Sequence, residues 1–106
     1  TGGDIASSIE ILKTFAKQTN RLLKETEMAV EAKDFEKLRM LGHSLKGSSG
    51  TVSAKLLAEY ASRLNITAKT GDIAGCRFNL EEFKHEYVRF KKLVAKFIRS
   101  EQAVKK

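Results

Sequence analysis

The sequence predicts an all-α fold in which four helices pack as an up-and-down antiparallel bundle. Four stretches place apolar residues at the alternating three- and four-residue spacing of amphipathic helices. The 106 residues include no proline, which permits long uninterrupted helices. The connections between the stretches are short, and short connections make consecutive helices antiparallel neighbours.

The first helix is predicted from a broad apolar stripe that is typical of a core-facing bundle helix and ends near Lys33. Ser7 and Ser8 are candidate N-caps, and Asp4 is a candidate cap for an earlier short turn. The stripe consists of Ile5, Ile9, Leu12, Ala16, Thr19, Leu23, Thr26 and Val30, widened by Phe15, Leu22 and Ala29.

The second and third helices are predicted from their caps and from two further stripes. Asp34 is the expected N-cap of the second helix, which extends to about Ser49 and ends at Gly50. Ser53 is the expected N-cap of the third helix, and Gly71 its terminator. The inward residues are Phe35, Leu38, Leu41 and Leu45 in the second helix, and Leu57, Tyr60, Ala61, Leu64 and Ala68 in the third.

Asp72 begins the fourth helix, whose apolar spacing is the most regular in the chain. Its inward residues, which supply most of the aromatic mass of the expected core, are Cys76, Leu80, Phe83, Tyr87, Phe90, Val94 and Phe97. The pattern is lost from Glu101 to Lys106, which predicts a frayed tail. Residues 1–106 are therefore expected to form one domain with a core at about residues 8–100.

Composition limits the classes of function. The formal net charge of +7 favours an acidic partner. Alternatively, the lysines simply solvate the outer faces of the helices. Cys76 is the only cysteine, which excludes an internal disulfide and a cysteine-based zinc site and fits a reducing, cytoplasmic setting. No apolar run reaches the roughly 18 residues that span a bilayer, and no secretory signal is visible, so no membrane contact is expected.

The segment His43–Ser49, with the sequence HSLKGSS, contains the candidate functional residue. Each helical residue advances about 100°, so His43 lies roughly opposite the inward leucines and points to solvent. Residues three, four and seven positions away share its face: Arg39, Met40, Lys46, Gly47 and Gly50. His85 also lies on an outer face, but ordinary surface residues surround it, and we interpret it as merely solvated.

The chemistry expected at His43 is nucleophilic. An exposed imidazole is largely uncharged at neutral pH and can attack a phosphoryl group. Lys46 then becomes a favourable neighbour of the added phosphate, worth about 0.2–1 kcal/mol as an exposed pair. Gly42 and Gly47 each cost about 1 kcal/mol relative to alanine in a helix, which indicates room for a packed neighbour or an approaching partner. For Gly47, on the His43 face, the partner is the better interpretation.

The sequence does not predict an enzyme. No carboxylate pair is arranged around His43 to bind magnesium, and no glycine-rich phosphate loop precedes a lysine and a Ser or Thr. The candidate site is therefore interpreted as a phosphoryl acceptor and donor whose catalyst lies on another protein.

The HSLKGSS segment resembles the phosphorylation motif of the histidine-containing phosphotransfer (HPt) domains of bacterial and plant phosphorelays, and the resemblance extends over roughly residues 8–100. It implies that His43 accepts phosphate, that Lys46 assists electrostatically, and that Gly47 gives a receiver domain access. Response-regulator receiver domains are the implied partners, and they bring the magnesium ion, so no cofactor is expected here. Arg39, Met40 and Gly50 would complete the partner-contact face.

Two positions depart from the family pattern. Ser53-Ala54 stands where members often have Gly-Ala, and Asn65 follows Leu64 where a glutamate is common. Both are expected to lie away from His43, so they bear on local packing or subfamily rather than on phosphotransfer.

The predicted function is that of a phosphorelay intermediate, either as a free-standing shuttle or, the interpretation that we favour, as a module of a hybrid sensor histidine kinase. The alternatives are a chemotaxis-kinase-type phosphotransfer domain, phosphorylated by a separate kinase domain, and a basic nucleic-acid-binding module. The last would need exposed stacking aromatics, whereas the aromatics of the fourth helix are assigned to the core. No nucleic-acid partner is therefore expected.

Overall fold

A computed structural model describes residues 2–52 and 54–104. They form four helices: α1 (Gly2–Ala32), α2 (Phe35–Thr51), α3 (Lys55–Lys69) and α4 (Ile73–Val104). Consecutive helices pack against each other, and α4 returns to α1, with Phe15 beside Phe90 at one end and Glu31 paired with Arg77 at the other. The predicted antiparallel four-helix fold is confirmed. None of the described helices combines the length and apolarity that a membrane-crossing helix requires.

Local hydrogen bonds fix three of the predicted helix boundaries. Asp34 is the N-cap of α2, and its Oδ1 accepts a hydrogen bond from the Lys37 amide at 3.1 Å. Asp72 Oδ1 accepts one from the Gly75 amide at 2.8 Å at the start of α4. Gly71 has a φ of +69°, which glycine adopts without steric cost, and follows the end of α3 as predicted.

Other boundaries differ from the prediction. The helix α1 begins at Gly2, so Asp4, Ser7 and Ser8 lie inside it rather than at its cap. Extending a nucleated helix adds a hydrogen bond for each residue at little cost, and this outweighs an internal capping signal. Similarly, α4 continues to Val104, past the expected start of a frayed tail at Glu101, while Lys105 and Lys106 lie outside the described residues.

Gly50 does not end α2, which continues to Thr51. The helix ends one residue later, where the amides of Val52 and Ala54 donate to the Ser49 carbonyl oxygen at 3.3 and 3.0 Å. Ser53, the expected N-cap of α3, lies outside the described residues. The N-cap position falls on Ala54, whose side chain makes no capping hydrogen bond.

The predicted stripes meet in one core. Its buried apolar residues are Phe15, Leu22, Leu23, Ala29, Val30, Leu38, Leu41, Leu45, Ala54, Leu57, Ala61, Leu64, Ala68, Cys76, Leu80, Phe83 and Tyr87. Phe15 packs edge-on against Tyr87 and Phe90, with ring centroids 6.0 and 5.5 Å apart. The Tyr87 hydroxyl donates to Asn20 Oδ1 at 2.9 Å, and burial raises the pKa of this phenol.

The assignment of Phe97 to the core is wrong, because 54% of this residue is exposed. The apolar spacing of α4 continues past Phe90, but α2 and α3 are too short to cover it there. Val94 is half-buried for the same reason. The chain therefore carries core-type spacing beyond the region where its own helices can bury it.

Gly42 permits the closest approach between α2 and α3. A Cβ atom there would lie 2.8 Å from the Asn65 amide nitrogen and 3.1 Å from the Ala61 carbonyl oxygen. Of the two explanations left open by the sequence, a packed neighbour is therefore the correct one for Gly42. At Gly47, by contrast, a Cβ would meet nothing within 4 Å.

Alanine at these two glycines is expected to have opposite effects on stability. Gly42→Ala forces a methyl against the α3 backbone, and overpacking costs about 1–3 kcal/mol, which outweighs the gain in helix propensity of about 1 kcal/mol. Gly47→Ala makes only that gain. Urea denaturation should thus show a lower midpoint for Gly42→Ala and a higher one for Gly47→Ala; a higher midpoint for both would contradict the close approach.

Candidate functional site

His43 lies in the middle of α2 on the face that points away from the core. Leu38, Leu41 and Leu45 are buried on the opposite side and thereby fix the rotation of the helix. The predicted exposure of His43 is confirmed. Among the described residues, its imidazole has no hydrogen-bond or ion-pair partner, so both ring nitrogens are accessible from solvent.

Two glycines leave open space on the C-terminal side of His43. Gly47 is one turn and Gly50 about two turns further along α2, on the same face. A Cβ at either position would meet nothing within 4 Å. The approach to the imidazole from this side is therefore not obstructed by the described part of the chain, as the sequence predicts for Gly47.

The two cations nearest to His43 on α2 differ in their pairing. The Arg39 guanidinium donates to both Glu36 carboxylate oxygens, with Nε 3.3 Å from Oε2. This hydrogen-bonded pair lowers the pKa of Glu36 and raises that of Arg39. Lys46 is exposed and has no carboxylate partner in residues 2–52 or 54–104. Its ammonium is therefore the cation available to an anion at His43.

The remaining predicted neighbour, Met40, is 57% exposed and adds an apolar surface one turn before His43. On α3, Ile66 is 56% exposed and follows Asn65, whose backbone touches Gly42. The structure thus places a histidine, an unpaired lysine and the exposed apolar side chain of Met40 on one face of α2. In the described part of the chain, no group of three His, Cys, Asp or Glu side chains is placed to hold a metal ion.

Asn65 contributes to this site in a way that sequence reasoning missed. Its Nδ2 donates to the Arg39 carbonyl oxygen at 2.7 Å. That carbonyl lies four residues before His43 and is the α-helical acceptor of the His43 amide. Asn65 therefore ties α3 to the turn that carries His43. The glycine at position 42 was the available signal, because it indicates a close helix crossing next to the histidine.

Comparison with known proteins agrees with the fold and with the family resemblance. The sequence profile of the Hpt domain matches residues 10–94, which include all of α2. The chain is 30% identical over 84 residues to "Pseudo histidine-containing phosphotransfer protein 2" of Oryza sativa subsp. japonica. This alignment covers 77% of the chain and 56% of the rice protein, so the chain spans only about half of that relative's length.

A solved structure is also similar, that of histidine-containing phosphotransfer protein B (HptB) from Pseudomonas aeruginosa. It superposes with a TM-score of 0.80 and 28% sequence identity, covering 85% of this chain and 78% of HptB. These similarities define a phosphotransfer domain of the kind that works in phosphorelays, not an enzyme with its own catalytic centre. The chain belongs to the Hpt domain family. Receiver domains are, in general, the partners of such domains.

Proposed function

We propose that His43 accepts a phosphoryl group from a receiver-domain aspartate and passes it to another receiver domain. The observation that carries this proposal is the exposed, unpartnered imidazole of His43 beside an unpaired Lys46 and two glycines that leave open space. This combination allows a large protein surface to reach a small nucleophile. It lies in the segment that matches the Hpt profile.

The transfer step involves one bond made and one broken. The unprotonated ring nitrogen of His43 attacks the phosphorus of the aspartyl phosphate, so a P–N bond forms. The P–O bond to the aspartate breaks, and its electron pair leaves with the carboxylate. The proton on the other ring nitrogen stays there or passes to solvent. Reversal of these events onto a second aspartate returns the imidazole to its neutral form.

Lys46 and the net charge act on different stages of this exchange. The phosphoryl group brings a charge of about −1.5 to −2 next to Lys46, which favours the phosphorylated state. The net charge of +7 attracts the acidic pocket and magnesium site that the family resemblance assigns to the receiver. Such long-range attraction raises the association rate more than the affinity. Arg39, paired with Glu36, contributes less than its position suggests.

The proposed setting is a cytoplasmic phosphorelay, with this domain acting as a module of a hybrid sensor histidine kinase. The single, buried cysteine supports a reducing compartment. The chemotaxis-type alternative differs in its donor, which would be a separate kinase domain instead of a receiver. The nucleic-acid alternative is supported by the positive charge alone.

Replacement of His43 tests the proposal directly. His43→Gln is expected to abolish phosphorylation by a phosphorylated receiver domain, whereas His85→Gln, on an exposed face of α4, should be labelled like the wild type. The wild-type label should be acid-labile and base-stable. Equal labelling of His43→Gln would overturn the assignment. Labelling by an isolated kinase domain, but not by any receiver, would favour the chemotaxis-type alternative.

Replacement of Lys46 should weaken transfer without preventing it. Lys46→Gln removes the unpaired cation, and an exposed pair contributes about 0.2–1 kcal/mol, so the rate should fall by less than roughly tenfold. Added salt should reduce the difference between this variant and the wild type. Lys37→Gln, exposed on another side of α2, is the matched control. An equal loss in both variants would show that only net charge matters.

A larger side chain at Gly47 separates access from chemistry. A Cβ at position 47 would meet nothing within 4 Å, so Gly47→Gln should leave α2 undisturbed, and the small donor phosphoramidate should still phosphorylate His43 at the wild-type rate. Transfer from a receiver should fall by roughly tenfold or more because the glutamine blocks docking. Ala74→Gln, at an exposed position on α4, should affect neither reaction. Equal loss with both donors would contradict a role for Gly47 in access.

A further inference from the structure

The helices α1 and α4 extend past the other two at one end of the bundle. They contain 31 and 32 residues, against 17 in α2 and 15 in α3. At 1.5 Å per residue, the excess is roughly 20 Å. We call the two-helix extension formed by residues 6–14 of α1 and 93–103 of α4 the arm.

One face of the arm carries apolar residues of the kind that form the core, but this face is not packed into the core. Ile9 and Leu12 of α1 and Val94 and Ile98 of α4 are half-buried. With Phe15 and Phe90 they line an apolar pocket of about 210 Å³ between the two helices. Elsewhere on the arm, more than half of Leu93 and Phe97 and nearly half of Ile11 are exposed, and Ile11 and Leu12 border Thr51 and Val52 at the end of α2. Elsewhere in the bundle, α2 and α3 cover the equivalent positions.

The distribution of charge shows what kind of occupant suits this face. Helical spacing places Lys92, Lys96 and Arg99 on the opposite side of α4 from Val94 and Phe97. An acidic partner would be attracted to that outer side, not to the apolar face. Within 93–103, the charged residue on the apolar face is Glu101, at the tip, while Lys13 and Lys91 line the pocket between the two helices. An apolar occupant with two helices is therefore the best complement.

We propose that the arm is a self-association surface, on which the arm of a second copy packs antiparallel to complete an intermolecular four-helix bundle. A second copy supplies two helices with the same stripe, as a two-fold interface requires. Lys92, Lys96 and Arg99 of both copies stay on the outside, and Lys13 and Lys91 lie beside the pocket. The antiparallel arrangement also keeps the two Glu101 carboxylates at opposite ends, where they do not repel each other at close range.

The size of the arm determines the strength of this association. A stable interface uses about 20–30 residues and about 800 Å² from each partner. The arm has about twenty residues, and only about half of them face inward. The dimer is therefore weak and reversible, and its population depends on protein concentration.

His43 lies about 12 Å before the end of α2, on a different helix from the arm, and stays accessible in the dimer.

Sedimentation velocity over about two orders of magnitude in protein concentration tests the proposal. The wild-type chain should shift from monomer towards dimer as its concentration rises. Phe97→Glu places a charge on the apolar face and should remain monomeric throughout. Phe78→Glu is the matched control, since Phe78 is on the same helix, 59% exposed and outside the arm; this variant should dimerise like the wild type.

Three results would overturn the proposal: a wild-type chain that stays monomeric, a dimer that Phe97→Glu does not weaken, or equal weakening by Phe78→Glu. If circular dichroism shows that Phe97→Glu has lost helix, Leu93→Glu replaces it, because Leu93 is 63% exposed. Phosphorylation of His43 by a receiver should proceed at the wild-type rate in the monomeric variant. The test of the arm therefore stands or fails separately from the test of phosphotransfer.

Discussion

The packing of α2 against α3 at Gly42 is the constraint on which the rest of the site depends. Because Gly42 has no side chain, the Asn65 backbone lies close to α2. The side-chain amide of Asn65 then donates a hydrogen bond to the Arg39 carbonyl oxygen. These contacts set the rotation of α2 together with its buried leucines. Once the rotation is set, His43 has only one direction to point, which is away from the core.

The same rotation separates two kinds of surface on α2. Residues that stabilise the domain face inward, and those available to a partner face outward, so substitution on one face need not disturb the other. On the outward face, Glu36 forms an ion pair with Arg39. Lys46 is therefore the unpaired cation near His43 among the described residues. A phosphoryl group at His43 would therefore encounter a local positive charge that the domain does not use for its own stability.

Local features of the sequence were sufficient to predict much of this arrangement. Helical periodicity gives the inward and outward faces of α2 without knowledge of its neighbours, and Asp34, Gly71 and Asp72 act through hydrogen bonds or backbone conformations within a few residues. The errors occur where distant parts of the chain decide the outcome. The role of Asn65 depends on the helix crossing at Gly42, and the exposure of Phe97 depends on where α2 and α3 end.

Phe97 shows this dependence most clearly. Periodicity specifies which side of α4 is apolar, but burial also requires that another helix be present at the same height. Helices α2 and α3 end before the level of Phe97 along the bundle, whereas the apolar stripe on α1 and α4 continues past that level. An apolar stripe that extends past the helices that cover it does not stabilise the monomer, and its exposed apolar area lowers solubility. Its persistence over the arm, with Lys92, Lys96 and Arg99 on the far side of α4, is what a surface adapted to another apolar helix pair requires.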